Sequence, residues 1–475
     1  MAKEYSKNNI ERNNQEITEL EEKTNGIEKE LAQKVLGYSE AISQVKWEAV
    51  QSKLLPGEAV LEFVNFKLDF PKETDSVLYV AILLRAEDSL PVFIPLFEEK
   101  QLSLIPNTFP AEAQSALYAS RGASPVKVHN YSSLFDLVWK PIDPYLIYTE
   151  KIYMTTSGML HRLNFNAMEI ANDSILGDKF KLVQLGSTRQ LVLTQNKIWD
   201  QTSAVLFGGI NYDLSDTIES TNFDSQTKSN LDTNTTAINT STFSAWSFLP
   251  GTDQEVSIIQ EQFKKRKIPV TQYRGANATE SQFKQIGNGN ASPRILHIST
   301  HGYFFPDPKD KQLDTSLNNT FQAALKFNKQ PMLRSGLIFA GGNKAWQGIK
   351  TKDGEEDGIL TAYEISQMNL SNTELVVLSA CETGLGDIQG NEGVYGLQRA
   401  FKIAGAKYLI MSLWQVPDKQ TSLLMTTFYK KWLEAKGPTK VGNTLSIPDA
   451  FRAAQKELRD GGLEPYYWAG FVLVE

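Results

Sequence analysis

The chain has 475 residues, enough for two or three domains, and its 41% hydrophobic and 22% charged residues are ordinary for a folded protein. A net charge of −7 argues against nucleic-acid binding as its main function. A single cysteine excludes an intramolecular disulfide framework and metal clusters of several cysteines, and it suits a reducing compartment. With a polar N-terminus and no run of ~18 apolar residues, we expect a cytoplasmic protein that does not contact membranes.

Residues 1–54 are predicted to form an amphipathic helical segment, because apolar side chains recur at helical intervals from Ile17 to Val50. Alone this segment buries little apolar surface. We therefore expect it either to pack on the next domain of the chain or to be the end of a longer helical repeat array. A solvated, partly frayed helix is the alternative.

Residues 55–200 are predicted to form a first α/β domain. Short runs rich in Val, Ile, Leu, Phe and Tyr indicate strands at 59–64, 76–84, 91–96 and 151–155, with a helix around 132–140.

Residues 201–475 are predicted to form a second α/β domain. Its strands are expected at 204–209, 294–301, 336–340, 375–381 and 407–414, and its helices at 394–404, 421–434 and 448–459. Thr252 or Asp253 is expected to cap a further helix. The polar run 213–245 has too few apolar groups to pack and is expected to be a surface insertion. Alternating strands and helices favour a mostly parallel sheet covered on both faces.

The lone cysteine, Cys381, follows the apolar run 375–380 and precedes a glycine-bearing loop. His301 similarly follows the apolar run 294–300, and Gly302 after it is expected to release the chain into a loop. Two parallel strands that end side by side would bring His301 and Cys381 to one sheet edge, where ligands bind in α/β proteins. A thiolate, an imidazole and the backbone N–H groups of Gly302 and Cys381 would suffice for acyl transfer. These residues alone leave catalysis and a chance coincidence equally open, since a cysteine is often an inert core residue.

The surrounding motifs resemble the CHAT family, whose members are caspase-like and separase-like cysteine peptidases often found behind tetratricopeptide repeats. The motifs that carry the resemblance are His301-Gly, Asp357-Gly-Ile-Leu-Thr-Ala-Tyr-Glu-Ile365, Leu378-Ser-Ala-Cys-Glu-Thr-Gly384, Gly390-Asn-Glu-Gly-Val-Tyr-Gly-Leu-Gln-Arg-Ala-Phe401 and Ser412-Leu-Trp-Gln-Val-Pro-Asp418. Weaker matches extend it upstream to about residue 45. The resemblance implies a caspase-hemoglobinase fold with a non-catalytic half before an active half. It also implies a His301–Cys381 dyad, with oxyanion donors at Gly302 and Cys381.

The resemblance also places a substrate pocket near Trp414 and Asp418, where an aromatic wall and a carboxylate would select the side chain before the scissile bond. The further acid that separases carry four positions later is Ser422 here. Glu382 is a third pocket candidate, although a role in the turn is the alternative. His297, inside the predicted strand, is expected to be a core histidine.

We therefore predict a cysteine endopeptidase that cleaves a specific protein substrate and needs neither metal nor cofactor. The resemblance suggests a role in bacterial defence or cell death. Because an unrestrained protease would be harmful, we expect a regulatory protein to bind through the N-terminal helices and 213–245 to be an activation or self-cleavage loop. A catalytically silent CHAT scaffold that binds partner proteins is one alternative. A nucleotide-binding α/β protein is the other, although no strand is followed by a phosphate-binding glycine loop of the required form.

Overall fold

The structure is a computed structural model. It describes Leu20, Lys23 and residues 44–68, 74–104, 131–171, 174–193, 203–213, 245–305, 320–349, 354–380, 386–388, 394–434 and 445–475.

Eighteen strands are found in these ranges. They are β1 (Glu58–Lys67), β2 (Val77–Arg85), β3 (Val92–Glu98), β4 (Lys151–Thr155), β5 (Glu169–Ala171), β6 (Ser174–Ile175), β7 (Lys181–Gln184), β8 (Ala204–Ile210), β9 (Val270–Gly275), β10 (Ile295–Ser299), β11 (Gly302–Phe304), β12 (Ser335–Ile338), β13 (Ile359–Thr361), β14 (Leu375–Ser379), β15 (Gly386–Ile388), β16 (Val394–Gly396), β17 (Tyr408–Ser412) and β18 (Phe471–Val474).

Fourteen α-helices are found in the same described ranges. They are α1 (Trp47–Gln51), α2 (Glu99–Leu104), α3 (Tyr131–Val138), α4 (Leu176–Lys179), α5 (Gln190–Leu193), α6 (Pro250–Lys265), α7 (Glu280–Lys284), α8 (Thr320–Lys326), α9 (Gly342–Trp346), α10 (Ala362–Ser366), α11 (Leu397–Ile403), α12 (Asp418–Glu434), α13 (Ile447–Asp460) and α14 (Pro465–Trp468). No helix among the described residues is both long and apolar enough to cross a bilayer.

The centre of the fold is an eleven-stranded sheet with the order β3-β2-β1-β4-β7-β18-β17-β14-β10-β8-β9. Most neighbouring strands are parallel; the antiparallel pairs are β3–β2, β2–β1 and β18–β17. In β10 and β14 every residue is buried, which explains why both sequences are mostly apolar rather than alternating between apolar and polar residues. The predicted α/β fold with a mostly parallel sheet flanked by helices is confirmed.

Helix α12 packs against both α6 and α13 in the second half of the chain. The predicted apolar face of α6 is confirmed, since Val256, Ile259 and Phe263 are fully buried. The predicted cap is wrong: α6 starts at Pro250 and no side chain caps it. The Thr252 hydroxyl instead accepts a hydrogen bond from the N–H of Gly209 at the end of β8, at 3.0 Å.

Other differences from the predicted elements concern short strands. Gly302 does not release the chain into a loop but begins β11, the edge strand of a small sheet with the order β11-β12-β13. Residues 394–396 form strand β16 rather than the first turn of a helix. Strands β7, β9 and β18 were not anticipated, because each offers only four to six residues and little alternation.

The two predicted domains share the large sheet, since C-terminal strand β18 lies between β7 of the first half and β17 of the second. One apolar cluster also contains residues from both halves. The boundary near residue 200 stays a prediction. Of the predicted N-terminal helical segment, α1 packs Val50 on Val60 and Leu84 of the sheet, and most of residues 1–43 lie outside the described residues. Of the predicted insertion 213–245, only its two end residues are described.

Candidate functional site

His301 lies two residues beyond the end of β10, at the carboxyl edge of the parallel strands. The neighbouring parallel strand is β14, and the last pair in their register is Ser299 with Ser379. Each strand end is therefore followed, two residues later, by one member of the predicted dyad.

Cys381 itself lies outside the described residues, as does Glu382. The residue before Cys381 is described: the Ala380 carbonyl accepts a hydrogen bond from the Ser412 hydroxyl on β17, at 2.6 Å.

Among the described residues, the imidazole of His301 has one hydrogen-bond partner and two aromatic neighbours. Its Nε2 lies 2.7 Å from the backbone carbonyl oxygen of Ser247. The ring centroid is 5.0 Å from that of Tyr212 and 4.9 Å from that of Trp246. The ring is thus held by Trp246 and Ser247, which follow the polar insertion, and by Tyr212, which lies two residues beyond β8.

This hydrogen bond determines the tautomer of His301. A carbonyl oxygen only accepts, so Nε2 carries the hydrogen and the neutral ring has its lone pair on Nδ1. Burial lowers the pKa of His301, while the hydrogen bond to Ser247 acts in the opposite direction. The ring is accordingly neutral near pH 7, with Nδ1 available as a base.

The backbone around His301 is also fixed. The His301 carbonyl accepts a hydrogen bond from the N–H of Ile338, at 3.0 Å. The Tyr212 hydroxyl lies 3.0 Å from the Thr300 hydroxyl and also makes a hydrogen bond to the His301 backbone. The imidazole therefore projects from a rigid peptide rather than from a free loop.

The N–H of Gly302 points away from strand β12. In an antiparallel pair, hydrogen-bonded and non-hydrogen-bonded positions alternate. The bonds from Ile338 to His301 and from Phe305 to Arg334 put those residues at bonded positions, so Gly302, which lies opposite Leu337, is at a non-bonded one. Because β11 is an edge strand, this N–H is directed to its open side, as an oxyanion donor requires.

Trp414 and Asp418, the two pocket candidates that the structure describes, both make hydrogen bonds to other residues of the chain. Trp414 is 1% exposed and its Nε1 donates to the carbonyl of Tyr466 at 3.0 Å, which is a core position rather than a pocket wall. Asp418 begins α12 and its carboxylate accepts the N–H of Gly251 at 2.6 Å, at the start of α6. Burial raises the pKa of Asp418. Asp418 remains near the site, because its charge acts on Tyr212.

His297 and His161, the other histidines that the structure describes, do not lie at this edge of the sheet. His297 is fully buried, with Nε2 2.8 Å from the carboxylate of Glu255 and Nδ1 3.3 Å from the Tyr429 hydroxyl, as expected of a core histidine. His161 belongs to the first half, where its Nδ1 lies 2.8 Å from the Thr156 hydroxyl.

Sequence reasoning missed the residues that hold the imidazole: Tyr212, Trp246 and Ser247. A backbone carbonyl leaves no trace in the residue type that carries it. The available signal was the return of large apolar side chains at Trp246, directly after the polar run.

One group of carboxylates has the spacing of a metal site, formed by Glu280, Glu356 and Glu364. The ammonium of Lys284 lies among them, 2.5 Å from Glu280, 2.8 Å from Glu356 and 2.8 Å from Glu364. Lys284 thus supplies the positive charge that these carboxylates require, and we assign no metal there.

Known proteins resemble this chain both in sequence and in structure. The chain is 30% identical over 117 residues to tetratricopeptide repeat protein 28 of Mus musculus and 29% identical over 117 residues to that of Homo sapiens, covering 24% of this chain and 4% of each relative. Among solved structures it is similar to Saccharomyces cerevisiae separase in complex with securin (TM-score 0.42, 10% identity, 90% of this chain and 30% of that one). It is also similar to the Arg-specific cysteine proteinase gingipain R (TM-score 0.37, 8% identity, 78% of this chain and 69% of that one).

The chain thus spans only a small part of the curated relatives that it matches. The family model for the CHAT domain matches residues 130–475, well over half of the chain. This range includes β10, β14 and the residues around His301. The protein is therefore a member of the CHAT-domain family.

Proposed function

We propose that this protein is a cysteine endopeptidase in which His301 and Cys381 form the catalytic dyad. His301 Nδ1 accepts the proton of the Cys381 thiol, the resulting thiolate attacks the carbonyl carbon of the scissile peptide, and the carbonyl electron pair moves to oxygen. The N–H groups of Gly302 and Cys381 stabilise that oxyanion. Its collapse breaks the C–N bond, the His301 imidazolium protonates the leaving amine, and water then hydrolyses the thioester.

The observation that carries this proposal is the tautomer of His301. The Ser247 carbonyl keeps the hydrogen on Nε2, so that the basic Nδ1 is the nitrogen left to exchange a proton with a thiol. The core histidine of strand β10, His297, instead has both ring nitrogens engaged by Glu255 and Tyr429. The neighbouring strand β14 leads directly into the only cysteine of the chain.

The single cysteine makes the test unusually direct, because any thiol alkylation of the protein reports on Cys381 alone. We would measure the rate of iodoacetamide alkylation by intact mass between pH 5 and 9, for wild type and His301→Ala. When the neutral imidazole accepts the thiol proton, a thiolate–imidazolium pair forms, and this pair lowers the apparent pKa of the thiol. We therefore expect His301→Ala to shift the alkylation profile to higher pH and to slow the reaction at least tenfold at pH 6.5, about the effect of one pKa unit.

His161→Ala is the matched control, since it removes a histidine from the first half, and it should leave the profile unchanged. A peptide-library cleavage screen with Cys381→Ala as the blank would then define the cleaved sequences. Identical alkylation profiles for wild type and His301→Ala, together with no cleavage, would contradict the dyad and favour the silent CHAT scaffold.

The finer parts of the proposal concern substrate and control. We propose a specific protein substrate, with Glu382 and Asp418 near the side chain that precedes the scissile bond, and the cytoplasm as the place of action. Regulation by a partner through the N-terminal helical region is supported by the names of the curated relatives, which contain tetratricopeptide repeats. A role in bacterial defence or cell death rests on the family resemblance.

Self-cleavage within 213–245 belongs to the same proposal. Mass spectrometry after incubation should find fragments cut in this range for wild type and none for Cys381→Ala. The same fragments from both proteins would rule self-cleavage out.

A further inference from the structure

We propose that Asn343 is a positioning residue for the candidate dyad. Its carboxamide fastens the Trp246–Ser247 segment so that the Ser247 carbonyl sets the tautomer of His301. The effect of Asn343 on catalysis rests on the proposed function. Its effect on the tautomer of His301 does not, and it can be measured separately.

The side chain of Asn343 pairs with both polar groups of the Trp246 backbone. Its Oδ1 accepts the Trp246 N–H at 2.7 Å, and its Nδ2 donates to the Trp246 carbonyl at 3.0 Å. This is the pattern that a neighbouring strand would provide. The next carbonyl along the chain is that of Ser247, which accepts from His301 Nε2. Asn343 is therefore one peptide unit away from the group that orients the imidazole.

The same carboxamide also holds the other end of the insertion. Nδ2 donates to the carboxylate of Asp213 at 2.6 Å, and the backbone N–H of Asn343 donates to the carbonyl of Tyr212 at 3.2 Å. Residues 213 and 246 are separated by more than thirty residues in the chain, yet both are bonded to one side chain. The two flanks are thus fixed independently of the sequence between them.

No other residue type could replace Asn343 without loss. Both amide hydrogens and one lone pair of the carboxamide are used, and the residue is only 2% exposed. Aspartate lacks the donors, glutamine is one methylene longer, and an apolar residue leaves buried backbone groups of Trp246 unpaired. Helix α9, which carries Asn343, is itself held by Trp346, whose ring lies 5.0 Å from that of Trp246.

The arrangement also accounts for the electrostatics of His301. Trp246 covers one side of the imidazole, and burial is the larger of the two influences on its pKa. If Asn343 released the segment, the ring would gain water and lose the Ser247 bond. Since burial has the larger effect, the pKa of His301 would rise towards its ordinary value.

The test compares Asn343→Ala with Asn164→Ala. Asn164 is an equally buried asparagine that donates to the carbonyls of Ala469 and Phe471, just before and at the start of β18, which is three strands from β10 in the sheet. Nitrogen-15 NMR of the imidazoles reports the tautomer and pKa of His301, and alkylation reports Cys381. We expect Asn343→Ala to raise the pKa of His301, abolish the single Nε2–H tautomer and slow alkylation at pH 7 by roughly threefold to tenfold, as for the loss of one hydrogen bond.

Exchanging the two side chains, as Asn343→Asp with Asp213→Asn, tests whether the tautomer of His301 can be restored, which a merely structural role of Asn343 would not predict. Asn343→Asp alone sets two carboxylates against each other and should impair the site more than alanine does. Adding Asp213→Asn restores a donor and an acceptor in the opposite direction, and should recover part of the Nε2–H signal and of the alkylation rate.

An unchanged pKa and tautomer for His301 in Asn343→Ala would overturn the proposal, as would an equal effect of Asn164→Ala. If His301→Ala leaves alkylation unaltered while Asn343→Ala still changes the His301 tautomer, the dyad fails and the positioning role of Asn343 stands.

Discussion

His301 and His161 show how local surroundings give one residue type two different roles. The imidazole of His301 is half-buried and donates to a carbonyl, which leaves one nitrogen available for proton transfer. His161 has a hydroxyl partner on Nδ1, whereas its buried Nε2 has no hydrogen-bond partner among the described residues. Burial lowers the pKa of His161 to about 4. A proton on this ring is thus disfavoured for structural reasons.

The buried imidazole of His161 predicts an acid-sensitive fold. Its pKa in the unfolded chain is about 6.5, so between pH 6.5 and 4 the unfolded state binds more protons and stability falls as the pH is lowered. The loss should be about 2–3 kcal/mol at pH 4.5. Urea unfolding at pH 7 and pH 4.5 would measure it, and His161→Gln should lose that much less on acidification than wild type does. Equal losses in both proteins would contradict the assignment.

At the residue scale, the candidate catalytic residue His301 could be predicted from the sequence, but the residues that orient its imidazole could not. His301 was recognisable because a polar, titratable side chain followed an apolar run and preceded a glycine. Ser247 was not, because its contribution is a backbone carbonyl. Asn343 was not, because an asparagine in a short helix has the same composition whether it faces solvent or two distant chain segments.

Among the secondary-structure elements, the small sheet β11-β12-β13 begins directly after His301 and contains part of the Asp357-Gly-Ile-Leu motif in β13. Gly358, in the Asp357-Gly-Ile-Leu motif, has φ of +79°, and its carbonyl accepts the N–H of Phe339, just beyond β12. A Cβ on Gly358 would lie 2.6 Å from the backbone nitrogen of Gly342. Only glycine allows this contact between the start of β13 and the start of α9.

We therefore expect Gly358→Ala to destabilise the protein by about 3 kcal/mol or more, through both the backbone conformation and the backbone clash. Gly354→Ala is the matched control, because Gly354 has φ of +90° but no atom within 4 Å of its added Cβ. The control should cost about 1 kcal/mol. Denaturant unfolding would measure both, and equal costs would show that the close approach to Gly342 is unimportant.

The long strands and helices were predictable because their apolar residues lie at the positions that are buried in the fold. Strands β10 and β14 are mostly apolar, and every one of their residues is buried. Helix α6 has three core residues at helical spacing. Strand β11 was not predictable: Gly302 favours a turn locally, and the strand forms only because β12, more than thirty residues later, pairs with it.

For the whole molecule, β18 is the connection between the two halves. It pairs with β17 along its length and with β7 at Val474, and Asn164 of the first half donates to carbonyls just before and within it. Because the sheet and the main apolar cluster are continuous across this strand, the halves should not unfold separately.

We expect a single calorimetric transition in which the van't Hoff and calorimetric enthalpies agree. Val472→Pro, in the interior of the sheet, should cost about 3 kcal/mol or more, because proline cannot donate to a strand ladder. Val270→Pro, at the first position of edge strand β9, is the control and should cost much less. Two resolved transitions in wild type would show that the halves are independent.

The position of β18 also has a consequence for the order of events during synthesis. Strand β7 emerges from the ribosome roughly 290 residues before its partner, which at about 5–20 residues per second corresponds to a delay of roughly 15–60 seconds. Throughout that time the nascent first half exposes an unpaired strand edge. Co-translational binding of a chaperone to this edge would protect it from aggregation, and the two halves would be joined only after β18 had been made.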